Sequence, residues 1–259
     1  MRLAVLALLL GLLPATAAAG LVKDPAPGVV VQVVDGDTVV LDDRREVRMV
    51  GIQAPKLPLG RRDFPTWPLA DVAKDTLSSL LAGKTVMLSY GGRRTDRHGR
   101  ELAHVHRRDG LWAQGEMLRL GMARVYSFYD NTAMVDEMLA LERTARAARH
   151  GIWAHPYYYV VNAADAGRFI GEFKLVEGRL TGAALVKGRA YLNFGPDWRT
   201  DFTIAIGRRA VRRFDAAADE KVDWPSWAGR PVRVRGWLKS YNGAMIEVTH
   251  PAQIELLER

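Results

Sequence analysis

The stretch Val33-Val34-Asp35-Gly36-Asp37-Thr38-Val39-Val40-Leu41 decides how the rest of the chain is read. Valines flank an Asp-Gly pair, the pattern of two β-strands meeting at a tight turn, where glycine tolerates the positive φ such turns demand. The turn leaves the Asp37 carboxylate at the start of a strand, where rigid backbone can aim it into a cleft. Taken alone, the stretch fits a hairpin tip with solvated carboxylates better, so a functional meaning rests on partners elsewhere.

Working outward, the β-branched runs at 29–34, 38–41 and 46–52 are split by turn residues and predict an antiparallel meander. Pro55 forces the chain out of the third strand. A loop over 57–68 follows, carrying Pro58, Pro65 and Pro68 among Arg61, Arg62, Phe64 and Trp67; loops at strand ends often border sites. Leu69, Val72, Ala73, Leu77, Leu80 and Leu81 recur at helical spacing, closed by Gly83. Strands are expected at 85–90 and 101–106, separated by the glycine-punctuated basic turn 91–100. A short helix is expected around 117–120 and a longer one over 132–149. In the latter, Met134, Met138, Leu141, Ala145 and Ala148 share a face, a stripe read as core.

The chain has 259 residues, enough for two domains of ordinary size. Its hydrophobic fraction of 48% and charged fraction of 25% are those of a soluble globular protein. A net charge of +8 favours an anionic partner, nucleic acid or an acidic envelope polymer, although the charge forms no basic tail. Arg2 precedes an apolar run from Leu3 to Leu13, then Pro14 and small residues to Gly20. That order reads as a cleaved export signal over 1–19, too short to span a bilayer, and places the mature chain in the periplasm or outside the cell. No later segment approaches membrane-spanning length, so no transmembrane helix is expected in the mature chain. With no cysteine, disulfides and thiolate metal sites are excluded.

Several of these residues resemble the staphylococcal nuclease, or thermonuclease, family. Asp35-Gly36-Asp37-Thr38 is similar to that family's first motif, and Arg48-Met49-Val50-Gly51-Ile52 before Pro55 to its second. Arg94-Thr95-Asp96-Arg97-His98-Gly99-Arg100 resembles its third. Leu141-Glu142, Ala145-Arg146 and Gly151-Ile152-Trp153 resemble its closing helix. The likeness runs over about 29–155 in consistent order. It implies a mainly β, α+β fold: an OB-type barrel with helices, here a domain over 24–156. It also implies a calcium ion held by two carboxylates and a carbonyl, a phosphate gripped by two arginines, and a glutamate activating water.

Carried over by position, Asp37 matches the first calcium carboxylate, and Arg48 and Arg100 match the phosphate clamp. Arg97, His98 and Tyr129 fall where nucleic acid would lie. Three positions depart: Gln53 stands for the second calcium carboxylate, Ala54 for a threonine, and Lys56 for the general base. Calcium seeks six to eight hard oxygens and charge to offset its own. Two unit charges about 4 Å apart interact by about 4 kcal/mol at an effective dielectric near 20, so exchanging an acid for an amide and adding an ammonium lowers calcium affinity by orders of magnitude. A charged lysine has no lone pair with which to take a proton from water. Arg48, Arg100 and Lys56 together would still make a cationic pocket for a phosphodiester. As replacement groups, His98 is a conventional neutral-pH base, and His104 with His106 share a strand face that could hold a metal. Asp42, Asp43, Glu46, Asp63 and Glu101 are further acids that no spacing selects.

Beyond a linker at 157–171, five strands with a helix over about 208–217 predict a second, smaller OB-like barrel over 172–259, with Tyr241-Asn242-Gly243 as a hairpin turn. Arg233 and Arg235 alternate with Val232 and Val234 and so share one face of a strand. With Arg208, Arg209, Arg212 and Arg213 they predict a polyanion groove in which Tyr191, Trp198 or Trp237 could stack bases. Three functions compete: a degenerate nuclease that binds nucleic acid or another phosphate polymer with little hydrolysis, a working calcium-dependent exported endonuclease with an altered ligand set, and an envelope interaction scaffold. Gln53 and Lys56 favour the first.

Overall fold

The computed structural model describes residues 21–24 and 26–258; the expected export signal at 1–19 lies outside them. The valine-rich runs become strands because β-branched side chains suit a pleated, half-buried surface. In chain order they are β1 (Val22–Lys23), β2 (Gly28–Asp35), β3 (Thr38–Leu41), β4 (Glu46–Met49), β5 (Gly51–Gln53), β6 (Thr85–Tyr90), β7 (Glu101–Arg107) and β8 (Arg124–Tyr126). Hydrogen bonding runs β6-β2-β3-β4-β7, and β7 returns to pair with β6, so five strands close a barrel with no free edge between them. β4 and β7 run parallel; the other pairs of the ring are antiparallel.

The barrel fills with alternate residues of its strands, among them Val39, Leu41, Val47, Met49, Leu88 and Val105. Helix α1 (Ala70–Leu81) adds Ala73, Leu77 and Leu81 to this core, α2 (Ala113–Arg119) adds Met117 and Leu118, and α3 (Val135–Ala147) adds Met138 and Leu139. The methionine stripe is therefore core where it reaches Met138. α1 has Leu69 in the left-handed region as its N-cap and Gly83, at φ +68°, just beyond its end.

The expected linker at 157–171 is packed rather than loose. It holds short 3-10 turns and the strand β9 (Val161–Asn162), with Tyr158 and Val161 buried. Next come β10 (Phe173–Arg179), β11 (Gly182–Val186), β12 (Arg189–Asn193), β13 (Thr203–Ile206), helix α4 (Arg208–Ala218), β14 (Pro231–Ser240), β15 (Ala244–Val248) and β16 (Ile254–Leu256). They form one sheet in the order β11-β12-β13-β15-β14-β10-β9, with β16 on the side of β14. The sheet ends at β11 on one side and at the two-residue β9 on the other. The hairpin between β14 and β15 turns at Asn242 and Gly243, both at positive φ. Among the described residues no helix is long and apolar enough to cross a membrane.

The alternation on β14 holds, but its polar face is not a groove. Val232 and Val234 enter the core of the second sheet, while Arg235 turns toward α3 and is only 2% exposed. Its guanidinium grips Glu142 of α3 through both Nη atoms, at 2.9 Å each, and reaches Glu255 at 2.6 Å. Glu142 also accepts from Arg146, at 2.8 Å, and from the Val125 backbone N–H, at 2.6 Å. Arg233 is spent on Glu177, at 2.7 Å. Buried charges require such pairing, and the expectation that Arg233 and Arg235 contact a polyanion is corrected accordingly. A small apolar cluster of Ala145, Ile152, Trp153, Tyr158, Phe173 and Leu175 seals the same interface.

Burial alone would raise the Glu142 carboxyl, but Arg235 and Arg146 outweigh it and hold it below its ordinary value. Because the folded value is depressed, the contribution to stability is complete above the unfolded carboxylate range and is lost as pH falls below about 4. Arg235→Met is expected to cost about 3–5 kcal/mol at neutral pH, the usual result of stranding one partner of a buried pair. Urea unfolding should show that cost shrinking in acid; a variant as stable as the wild type at neutral pH would contradict this account of the interface.

Candidate functional site

The turn between β2 and β3 carries two carboxylates, Asp35 and Asp37, both buried. Gly36 is required there, but not for its φ, which is not positive. A Cβ at that position would lie 2.6 Å from the Cβ of Ala54 and 2.9 Å from that of Ala73, so the turn packs directly onto the segment after β5 and onto α1. The small side chain of Ala54 belongs to the same close approach.

Asp37 is fully buried and tied down from several sides. Its Oδ2 accepts the Ala54 N–H at 2.7 Å and lies 3.3 Å from Arg48 Nη2, and its backbone carbonyl accepts the Met49 N–H at 2.9 Å. Into the remaining space comes Lys56. Its Nζ lies 2.7 Å from each carboxylate oxygen of Asp37 and 3.1 Å from Asp35 Oδ2. The Lys56 carbonyl is itself fixed by the Trp67 N–H at 2.9 Å, so the loop rich in proline holds the lysine in place. Lys56 thus serves as the internal counter-ion of two acids and is not a third member of the phosphate clamp.

The electrostatics follow from this geometry. Burial pushes Asp37 upward, but Arg48 and then Lys56 prevail and hold its carboxyl well below the usual range. For Asp35, burial and the neighbouring Asp37 charge prevail over Lys56 and Arg48, and its carboxyl is raised.

Gln53 does not face this cluster. Its Oε1 accepts from Arg124 Nε at 3.0 Å and Nη2 at 2.7 Å, and Arg124 in turn donates to the Phe173 carbonyl at 3.1 Å. The residue matched to the second calcium position is therefore part of the contact between β8 and β10. Calcium needs several free oxygens and net negative charge. Here one acid is saturated by an ammonium and an N–H, the second shares that ammonium, and the third position looks elsewhere. The residues present do not fit the ion. Among the described residues no group of three or more His, Asp or Glu is arranged to hold a metal. Of the histidines singled out, His104 and His106 pack against Trp112, with ring centroids 5.8 and 6.5 Å away, and burial lowers His104 to about 4. They form a packed pair, not a metal site.

Beside the cluster a cavity of about 470 Å³ opens, lined by Arg48, Arg93, Arg97, Arg100, Tyr126 and Phe128 among others. Arg48 and Arg100 do meet here. Arg48 already donates to the carbonyls of Met49, at 2.5 Å, and Ile52, at 2.6 Å, so it is rigidly aimed. Arg100 pairs with Asp96, at 2.8 Å, and remains partly exposed. Arg97 and His98 sit on the exposed rim, bonded to each other at 3.1 Å. Asp96 and Asp130 also line the cavity, so its charge is net positive by two. Tyr129 lies on the far side of the loop 126–131 and does not line this cavity. Asp35 and Arg124 were not singled out from the sequence. The Asp-x-Asp spacing was the only available hint for Asp35, and nothing local marks Arg124.

Residues 46–155 match the family described as staphylococcal nuclease homologue. An "Uncharacterized endonuclease" of Escherichia coli O157:H7 is 38% identical over 130 residues, covering 49% of this chain and 76% of that protein. A "Thermonuclease" of Staphylococcus hyicus is 27% identical over 134 residues, covering 49% and 75%. "Protein ParB" of Escherichia coli is 33% identical over 141 residues, covering 50% and 73%.

Removing the ammonium leaves two buried acids facing each other. Lys56→Met is expected to cost about 2–4 kcal/mol near pH 7, a little below a fully buried pair because Lys56 keeps some solvent contact. As pH falls toward about 4 one carboxyl of the variant takes up a proton and the cost declines. Urea unfolding at the two pH values measures this; a pH-independent difference would mean that the lysine only packs.

Proposed function

The chain belongs to the staphylococcal nuclease family, and from that premise we propose that it binds nucleic acid, or a phosphodiester polymer like it, with little or no hydrolysis. The observation that carries this reading is the position of Lys56 Nζ, 2.7 Å from both oxygens of Asp37. The two acids of the turn would otherwise repel a phosphate or recruit a cation. With the lysine between them the two acids keep at most one net negative charge, and the adjacent cavity keeps the field of its arginines.

Binding then runs as follows. The phosphate enters the cavity and meets Arg48, preset by its bonds to backbone carbonyls, and Arg100, which can rotate from Asp96 to form a charge-assisted pair. Arg97 and His98 extend the positive rim. Hydrolysis would need a group able to take a proton from water within reach of that phosphate. The position matched to the general base holds an ammonium already engaged with two acids. A second reading, a working endonuclease, is favoured by the names of the relatives, two of which are called endonuclease or thermonuclease. We further propose that the protein acts outside the cytoplasm, on the strength of the apolar N-terminal run, and that the C-terminal sheet is a second OB-type barrel, on the strength of its strand order.

The decisive comparison uses the mature protein with single-stranded DNA and RNA, with and without calcium. Expected are salt-sensitive binding that weakens at least tenfold in Arg100→Ala, and no calcium-dependent cleavage. Lys56→Glu should turn the same point into a meeting of three carboxylates and confer calcium binding detectable by calorimetry. Calcium-dependent cleavage by the unaltered protein would favour the second reading and remove the first.

A further inference from the structure

A second arginine-lined cavity, of about 490 Å³, lies on the other side of the loop 126–131. Arg189 of β12 and Arg208, Arg209 and Arg213 of α4 line it, and the first domain contributes Tyr129. Its one acid, Glu247, is already paired with Lys239 at 2.9 Å. Arg213 is held by the Thr249 carbonyl at 3.0 Å, with its guanidinium 4.1 Å from the Tyr129 ring centroid. Arg208 is likewise held, by the Lys187 carbonyl at 2.8 Å. Arg208 and Arg213 are therefore preset by backbone acceptors, and among the described residues none of the four arginines is paired with a carboxylate. Two of them also occupy the first turn of α4, which carries no acidic residue, although a helix dipole disfavours cations there. Such a concentration of unneutralised charge is costly unless an anion completes it.

The loop joins the two cavities. Phe128 lines the first and Tyr129 the second, and these consecutive residues are 49% and 52% exposed. Exposed aromatic rings between two positive pockets suit a chain whose phosphates alternate with unpaired bases, because only an unpaired base offers a face for stacking. A duplex would present phosphates but no such face.

We propose that the second cavity is a phosphate subsite supplied by the C-terminal domain, and that single-stranded nucleic acid passes from the Arg48–Arg100 cavity over Phe128 and Tyr129 into it. This extends the binding reading given above and rests on it. The subsite makes the C-terminal domain part of the binding surface and sets a minimum length of strand for full affinity.

The test measures binding of labelled oligothymidylates of about three and about twelve nucleotides, the longer within the range that OB-type barrels cover. Wild type is compared with Arg208→Ala/Arg209→Ala and with Arg100→Ala. The two α4 arginines are exposed, and an unchanged melting temperature verifies that the double variant folds. The double variant should lose about tenfold or more for the long strand, keep its affinity for the short one, and lower the salt slope by about 1.4, at ~0.7 per phosphate contact on single strands. Arg100→Ala should weaken both. If the double variant binds the long strand as wild type does while Arg100→Ala fails, the subsite is wrong and the first cavity stands. A duplex of the same length bound as tightly as the single strand would overturn the choice of ligand. Absence of binding by wild type to either strand would remove the subsite together with the reading on which it rests.

Discussion

A carboxylate with no access to water organises the five-stranded barrel. Asp37 cannot be buried as an isolated charge, because the desolvation cost would exceed what the turn gains by packing. Everything around it answers that constraint. The Arg48 guanidinium comes from β4, the Ala54 N–H and the Lys56 ammonium from the segment just after β5, and all three converge on its two oxygens. The turn between β2 and β3, the end of β4 and the exit from β5 are thereby fixed relative to one another. The same convergence aims Arg48 along the wall of the cavity. Charge compensation and site geometry are a single arrangement.

What the sequence reveals and what it hides divide along the range of the interactions involved. The barrel strands and α1 are legible because period and turn chemistry are local properties, and 70–81 forms the helix that its leucines predict. Asp37, Arg48 and Arg100 are legible because their motifs are short and their order is kept. Gly36 is a subtler case: its necessity can be read, but its reason cannot, since the residues it must clear, Ala54 and Ala73, are distant in sequence. Side-chain direction is less accessible still. Gln53 turns to Arg124, and Lys56 turns to Asp35 as well as Asp37, because of partners that no spacing identifies. On β14 the alternation identifies the face correctly and the medium wrongly, because a partner surface and bulk water demand the same polar pattern.

The contact between α3 and β14 repeats the logic of the Asp37 cluster with the charges exchanged. Here a buried arginine, Arg235, is satisfied by two acids, and one of them, Glu142, belongs to α3. The match to the nuclease family ends at residue 155, yet Glu142 inside the matched region depends on a partner from β14 far beyond it. Arg124 binds the halves a second time, through Gln53 on one side and the Phe173 carbonyl on the other. Gln53 is thus employed, through Arg124, in tying β5 and β8 to β10.

The lysine seated between Asp35 and Asp37 has one more consequence. An ion drawn from solution comes and goes with its free concentration, and a chelator can strip it. An ammonium fastened to the backbone does neither, so the charge compensation at the turn is independent of how much mineral the surroundings supply. The charge that this lysine contributes to the turn is the same in starved and replete media.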